Sequence, residues 1–294
     1  MLTFLSLHTD LMLIALARLI ARLPLTWLHG VGALMGLMVF RVSAGFRRKT
    51  HENLAQAGLD VEEVGRRSAQ QAGRAVTETA LVWFGDPQRI DHLIRFEDLP
   101  VLEAARAAGR GVIILTPHLG GFEVGAWAIA RVAPVTALYK PARIAALRRL
   151  VETGRAMAGL HPAPATPAGV RSLLRALRRG ECIGILPDQV PSDGDGHWAP
   201  FFGRPAYTMT LPSRLADMTG ASVIIGYAKR LDHAQGWRVY FEPLNTAPSP
   251  EAINHAMEAV IRRVPDQYFW GYNRYKVPAR AQASQPDSQT GVTR

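Results

Sequence analysis

His118 and Glu123 are the residues of this chain best suited to chemistry. Residues 112–115 are aliphatic and read as a buried strand, which Pro117 and the pair Gly120 and Gly121 break. The apolar run 122–130 reads as the next helix, so Glu123 falls in its first turn. A histidine just past a strand end stands where open α/β sheets bind ligands. Its imidazole can act as a general base on a hydroxyl. A carboxylate five residues later can fold back over the glycine turn, hydrogen-bond the ring and fix its tautomer. Gly120 and Gly121 let backbone amides approach a substrate oxygen that gains negative charge. Without that context the same pair is a loop histidine and a solvated glutamate.

A second candidate pair, Asp188 and Gln189, follows the strand-like run 182–186. A parallel sheet brings it out on the same edge as His118; otherwise Asp188 only caps a turn. Lys140 and Arg155 supply cations for an anionic substrate, and a guanidinium can grip a phosphate or carboxylate through two parallel bonds. Phe201 and Phe202 form an apolar pair in a loop region, either buried or lining an acyl groove. Arg171, Arg175 and Arg178 share one helix face, with Leu173, Leu174 and Leu177 on the other. Such a face is a solvated surface or a dock for an acidic carrier or lipid phosphate. Arg143, Arg148 and Arg149 repeat the pattern on the preceding helix.

These residues need a scaffold, and the periodicity supplies one. Strands are expected at 111–116, 135–139, 182–186, 222–228 and 237–242. Helices are expected at 59–84, 100–108, 122–131, 143–158, 168–179, 210–219 and 250–263. This alternation implies an α/β fold, a mostly parallel central sheet flanked by helices. The domain occupies 46–278, and 279–294 reads as a disordered tail poor in apolar residues.

Residues 1–45 read as a membrane anchor of interfacial or spanning helices. Residues 23–40 hold no Lys, Arg, Asp or Glu, near the minimum length for a span, and Arg41, Arg47, Arg48 and Lys49 follow at once. The alternative is a buried helical hairpin. Hydrophobic residues make up 48% of 294, enough for a large core, and the net charge of +10 favours an anionic partner. The single Cys182 excludes an internal disulfide. The loop 192–197 is too short for a calcium loop and lacks its closing Glu, so no metal is assigned. No GxGxxG or GxxxxGK motif supports a nucleotide cofactor, so none is assigned.

The stretch His118-Leu-Gly-Gly-Phe-Glu123 resembles the His-x-Gly-Asn-Trp-Glu motif of the lipid A late acyltransferases, the lauroyl and myristoyl transferases of bacterial lipopolysaccharide synthesis. Leu186-Pro-Asp-Gln189 with Pro200-Phe-Phe-Gly203 is similar to that family's second block. Pro265-Asp-Gln-Tyr-Phe-Trp270 with Asn273-Arg-Tyr-Lys276 is similar to its C-terminal block, and Phe46-Arg-Arg-Lys49 with Asn53 and Leu54 to the segment behind its anchor. The chain departs at Gly121 and Phe122, where the family usually has Asn and Trp, and at Tyr272-Asn273, where it often has His-Arg. The resemblance implies a glycerolipid-acyltransferase-like fold at the cytoplasmic face of the bacterial inner membrane. It implies an acyl-acyl carrier protein donor and a lipid A precursor as acceptor. It also places Arg155 near the catalytic pair and Asp188 and Gln189 along the substrate site. Another membrane-lipid acyltransferase, acting for example on glycerophospholipid, would use the same dyad. A non-enzymatic alternative is a basic protein that binds anionic membranes; no nucleic-acid fold signature is present. A serine hydrolase lacks its GxSxG elbow.

Overall fold

The computed structural model describes residues 2–141 and 145–284. Four helices open the chain: α1 (Leu2–Ala21), α2 (Leu25–Val42), α3 (Ala44–Gln56) and α4 (Val61–Phe84). Then come α5 (Pro87–His92), β1 (Ile94–Phe96), α6 (Leu99–Ala107), β2 (Val112–Leu115), α7 (Phe122–Val132) and β3 (Val135–Tyr139). Next are α8 (Ala145–Met157), β4 (His161–Pro164), α9 (Pro167–Arg178), β5 (Cys182–Ile185), β6 (Gly196–Phe201) and β7 (Arg204–Met209). The described chain continues through α10 (Leu211–Thr219), β8 (Ser222–Arg230), β9 (Trp237–Pro243) and α11 (Pro250–Arg263).

Seven strands form one sheet in the order β1-β9-β8-β2-β5-β3-β4. All neighbours in it are parallel except β8 and β9, which run antiparallel. The mostly parallel sheet is therefore as the alternating pattern implies. β2 lies at its centre and is buried throughout. Its side chains alternate between two layers, as a pleated strand requires. Ile113 and Leu115 enter the layer that holds Phe201, Phe202, Ile253, Met257 and Trp270. Val112 and Ile114 enter the layer that holds Val124, Trp127, Trp237 and Phe241.

Among the strands, three features escape the sequence pattern. β1 is only three residues long. β4 carries two prolines and is tolerated because it is an edge strand. The third is the antiparallel pair β6 and β7, where a loop was expected. Phe202 and Gly203 turn it, both with positive φ (47° and 75°), the geometry of a tight hairpin. At the C-terminus, Ala279–Ser284 forms a 3-10 helix with Ala281 buried, so the expected tail does not begin at 279. Residues 285–294 of that tail, and Arg143, lie outside the described residues.

The N-terminal helices combine features of both sequence readings. α2 is long and apolar enough to cross a membrane by length and composition. One face of it, however, is sealed onto α4. The approach is so close that a Cβ on Gly36 would lie 1.9 Å from the Ala69 carbonyl oxygen, and one on Gly73 would lie 1.9 Å from that of Gly32. The other face, with Trp27, Leu34, Met35, Met38 and Val42, is exposed. Replacing Gly36 by Leu should therefore destabilise the fold by about 1–3 kcal/mol through overpacking. The triple change Leu34→Ser, Met38→Ser, Val42→Ser should stay within about 0.5 kcal/mol. Thermal melts in detergent compare the two; equal losses would mean that the exposed face is packed.

Candidate active site

β2 and β5 are parallel neighbours, with Leu115 paired to Ile185. His118 and Asp188 follow those two strand ends at the same distance along the chain, so the register delivers them side by side. Asp188 holds His118 at two points. One carboxylate oxygen accepts the backbone N–H of His118 at 2.8 Å, and the other faces ring Nδ1 at 2.7 Å. A carboxylate can only accept, so Nδ1 carries the proton and Nε2 is the basic nitrogen. The side-chain amide of Gln189 donates to that Nε2 at 3.1 Å. The Phe122 ring packs beside the imidazole, 5.4 Å between centroids.

Asp188 is buried, and burial alone would raise its pKa. The charge of His118, its ring and backbone hydrogen bonds and the charge of Arg274 outweigh that, and the carboxyl is held below the usual range. Tyr268 lies next to it. Burial first, and then the Asp188 charge, keep that phenol protonated well above its ordinary pKa.

Glu123 does lie in the first turn of α7, yet it does not bond His118, contrary to the sequence expectation. Its carboxylate is taken by two partners on neighbouring helices. Trp83 Nε1 on α4 donates to it at 2.9 Å. Arg155 on α8 grips both oxygens, Nε at 3.3 Å and Nη2 on the other. The spacing of a helical first turn allowed either direction, and a half-buried guanidinium with two donors is the stronger partner for a buried carboxylate.

The glycine turn also differs from expectation. The Gly120 N–H donates to the Gln267 carbonyl and the Gly121 N–H to that of Ala228, both at 2.9 Å. Neither amide is free to hold an oxyanion. The two glycines instead let the turn lie against β8 and β9. Gly120 has φ +58°, and a Cβ there would sit 2.0 Å from the Ala228 oxygen; one on Gly121 would meet the Trp237 ring at 2.8 Å.

Beneath the turn is a buried ionic network that sequence reasoning missed. The Gly120 carbonyl accepts from Arg230 Nη2 at 3.0 Å. Arg230 makes two bonds to Glu78, at 2.8 and 2.6 Å, and donates to Gln71 at 2.6 Å. Glu78 also receives His29 from α2 at 3.1 Å. Burial would raise the Glu78 pKa, but Arg230 and His29 bring it below the ordinary value. The signal available in the sequence was a glutamate among the small and apolar residues of α4.

The remaining candidates separate. Phe201 and Phe202 are buried in the core layer with Trp270, so they do not line the accessible site. Lys140 is exposed past the end of β3. Arg171, Arg175 and Arg178 are exposed on α9. The C-terminal block braces the second one: Tyr272 accepts the Val190 N–H at 3.0 Å, and Arg274 donates to the Tyr207 carbonyl at 2.8 Å. Asn53 donates to the carbonyls of Trp270 and Tyr272, both at 2.7 Å.

A narrow apolar slot opens beside Phe122, between α7 and the sheet. Thr116, Phe122, Glu123 and Arg155 stand at one end, and Ile129, Val135 and Leu160 at the other. Small residues make room for it: Gly125 and Ala126 on α7 face Ala137, Gly184 and Gly226 on the strands. A Cβ on Gly184 would find its nearest neighbour 4.0 Å away, so this glycine leaves open space.

A basic imidazole nitrogen near an apolar slot is an arrangement suited to acyl transfer. Comparison with known proteins narrows the class. Residues 2–277 match the bacterial lipid A biosynthesis acyltransferase family, and the chain belongs to it. It is 25% identical over 250 residues to the lipid A biosynthesis palmitoleoyltransferase of Escherichia coli K12, covering 78% of this chain and 79% of that one. It is 24% identical over 280 residues to the lauroyltransferase of the same pathway and organism, covering 89% and 91%. A lipid A biosynthesis acyltransferase of Haemophilus influenzae is 25% identical over 293 residues. The protein is an acyltransferase.

The clamp predicts unequal variants. Asp188→Asn should lower kcat by about 10²–10⁴-fold, the range of a general-base contribution, because the ring loses its orientation and counter-charge. Glu123→Gln should act instead by releasing Arg155, with a smaller kcat loss and a larger rise in donor KM. The depressed Asp188 pKa also sets a pH signature. A carboxyl lowered in the folded state stabilises above its unfolded value, and that stability is lost as pH falls through the folded value. The stability gap between wild type and Asp188→Asn should therefore not close until the pH falls below about 4. A gap that closes between pH 7 and 5 would contradict the assignment.

Proposed function

We propose that this acyltransferase moves a fatty acyl chain from an acyl-acyl carrier protein thioester to a hydroxyl of a lipid A precursor, at the cytoplasmic face of the bacterial inner membrane. The observation that carries the reading is the Asp188–His118 clamp, packed beside Phe122, which in turn lines the apolar slot. The relatives named as lipid A acyltransferases supply the acceptor class. The fold is read as that of the lysophospholipid and glycerolipid acyltransferases.

In this mechanism the acceptor hydroxyl displaces the Gln189 amide from Nε2 of His118. His118 takes the hydroxyl proton as the oxygen attacks the thioester carbonyl carbon. Asp188 balances the imidazolium that forms. With the Gly120 and Gly121 amides engaged, the oxyanion is met by the displaced Gln189 amide and by the first amides of α7, which lack intrahelical acceptors. The carbon–sulfur bond then breaks, and the thiolate leaves with the proton from His118. No covalent enzyme intermediate is required, since the thioester arrives activated.

The donor chain enters the slot, with Ile129, Val135 and Leu160 as its floor. Arg155, fixed by Glu123, closes the polar end. The carrier protein docks on the α9 arginines. Helix α2 lies in the membrane interface by its exposed apolar face, with Arg41, Arg48 and Lys49 toward anionic headgroups.

The test is transfer itself. Purified protein, acyl-acyl carrier protein and a lipid A precursor should give an acceptor heavier by one acyl group in mass spectra, and His118→Ala should not. A glycerophospholipid acylated in preference to the lipid A precursor would overturn the acceptor assignment. Gly184→Leu should shift donor preference toward shorter chains while leaving the shortest chain's rate within a few-fold. Reversing Arg171, Arg175 and Arg178 to Glu should raise the donor KM more than it lowers kcat, since docking charge acts mainly on encounter. Unchanged donor preference or KM returns the residues concerned to a packing or solvated role.

A further inference from the structure

A second cleft lies where α2 ends. An open groove there is lined by Leu37, Phe40 and Arg41 of α2, Arg47 of α3, and Glu62, Glu63 and Arg66 of α4. Three guanidinium groups therefore converge on one cleft. Arg47 is fixed by its own duties, because it donates to the carbonyls of Phe40 and Arg41 at 2.9 and 2.8 Å and so caps α2. Glu63 is occupied by Arg67 at 3.2 Å. Arg41 and Arg66 are exposed and have no ion-pair or hydrogen-bond partner for their guanidinium groups among the described residues. Glu62 is exposed on the same rim.

The groove is continuous with an apolar strip. Leu34, Met35, Met38 and Val42, all exposed, run along α2 to its edge. A ligand suited to both parts has a phosphate joined to hydrocarbon chains. Guanidinium groups match phosphate geometry with paired donors, and apolar chains cover the strip. The carboxylate of Glu62 adds a requirement, since it accepts hydrogen bonds and repels a second anion. It fits a headgroup with donors of its own, such as an ethanolamine ammonium or glycerol hydroxyls.

We propose that this groove binds one phospholipid of the surrounding bilayer, its phosphodiester on Arg41, Arg47 and Arg66, its headgroup donors on Glu62, and its chains along Leu34 and Met38. The site fixes the depth and tilt at which α2 sits in the membrane. The proposal rests on the membrane seating proposed above but not on the acyl-transfer step, because the occupant is a bilayer lipid and not a substrate.

The experiment is native mass spectrometry of the full chain released from nanodiscs made of phosphatidylglycerol, phosphatidylethanolamine or phosphatidylcholine. One retained lipid per chain is expected with the first two and none with phosphatidylcholine, whose quaternary ammonium has no N–H to offer Glu62. Arg41→Gln with Arg66→Gln should reduce retention by at least about tenfold, the effect of losing two charged hydrogen-bond donors. Arg18→Gln with Arg22→Gln removes the same charge from the N-terminal segment outside the groove and should leave retention unchanged. Equal loss in both double variants would show diffuse charge attraction and overturn the site. Equal retention of phosphatidylcholine would show apolar adhesion alone and also overturn it. Displacement of the retained lipid by a lipid A precursor, with a raised acceptor KM in the groove variant, would make the occupant the acceptor and overturn the bilayer assignment.

Discussion

The two-point bond between Asp188 and His118 is the constraint on which the rest of the site depends. A buried carboxylate is costly to ionise unless donors meet it. Here the ring and the backbone of one residue supply both. The carboxylate thereby stays charged, and the imidazole is left with one tautomer and one orientation. In the proposed mechanism the base is thus preorganised before a substrate arrives. Moving either strand end by one residue would turn the pair apart, so the β2–β5 register sets the geometry of the clamp.

The glycine turn beyond His118 must be as rigid as the histidine. It is tied to β8 and to Gln267 through its amides, and to the Arg230–Glu78 pair through a carbonyl. That pair is fully enclosed and takes part of its neutralising environment from His29 on α2. Removing one member of such a pair leaves a stranded charge and is typically destabilising by about 3–5 kcal/mol. Helix α2 and the glycine turn therefore share one polar core, and α2 packs into the domain.

Much of this was legible in the sequence. The aliphatic runs at 112–115, 135–139 and 182–186 located the central strands, because buried parallel strands read as unbroken hydrophobic stretches. The motif around His118 falls where the fold brings His118, Asp188 and Gln189 together. The partner of the imidazole was not legible from local spacing, because Asp188 reaches His118 across strands seventy positions apart. Glu123 lay nearer in sequence, but Arg155 and Trp83 claim it through tertiary packing that no helical period encodes. Gly120 and Gly121 announced a close approach, and only the fold tells that the approaching group is β8. β4 and the β6–β7 hairpin were hidden by prolines and by polar residues at sheet edges.

The central claim is that Asp188, and not Glu123, holds the histidine base. Nitrogen-15 NMR of histidine-labelled protein reads this directly. His118 should carry its proton on Nδ1, with Nε2 unprotonated, in the neutral ring. Glu123→Gln should preserve that tautomer, and Asp188→Asn should abolish it. A wild-type ring protonated on Nε2, or a tautomer that survives Asp188→Asn and disappears in Glu123→Gln, would contradict the account.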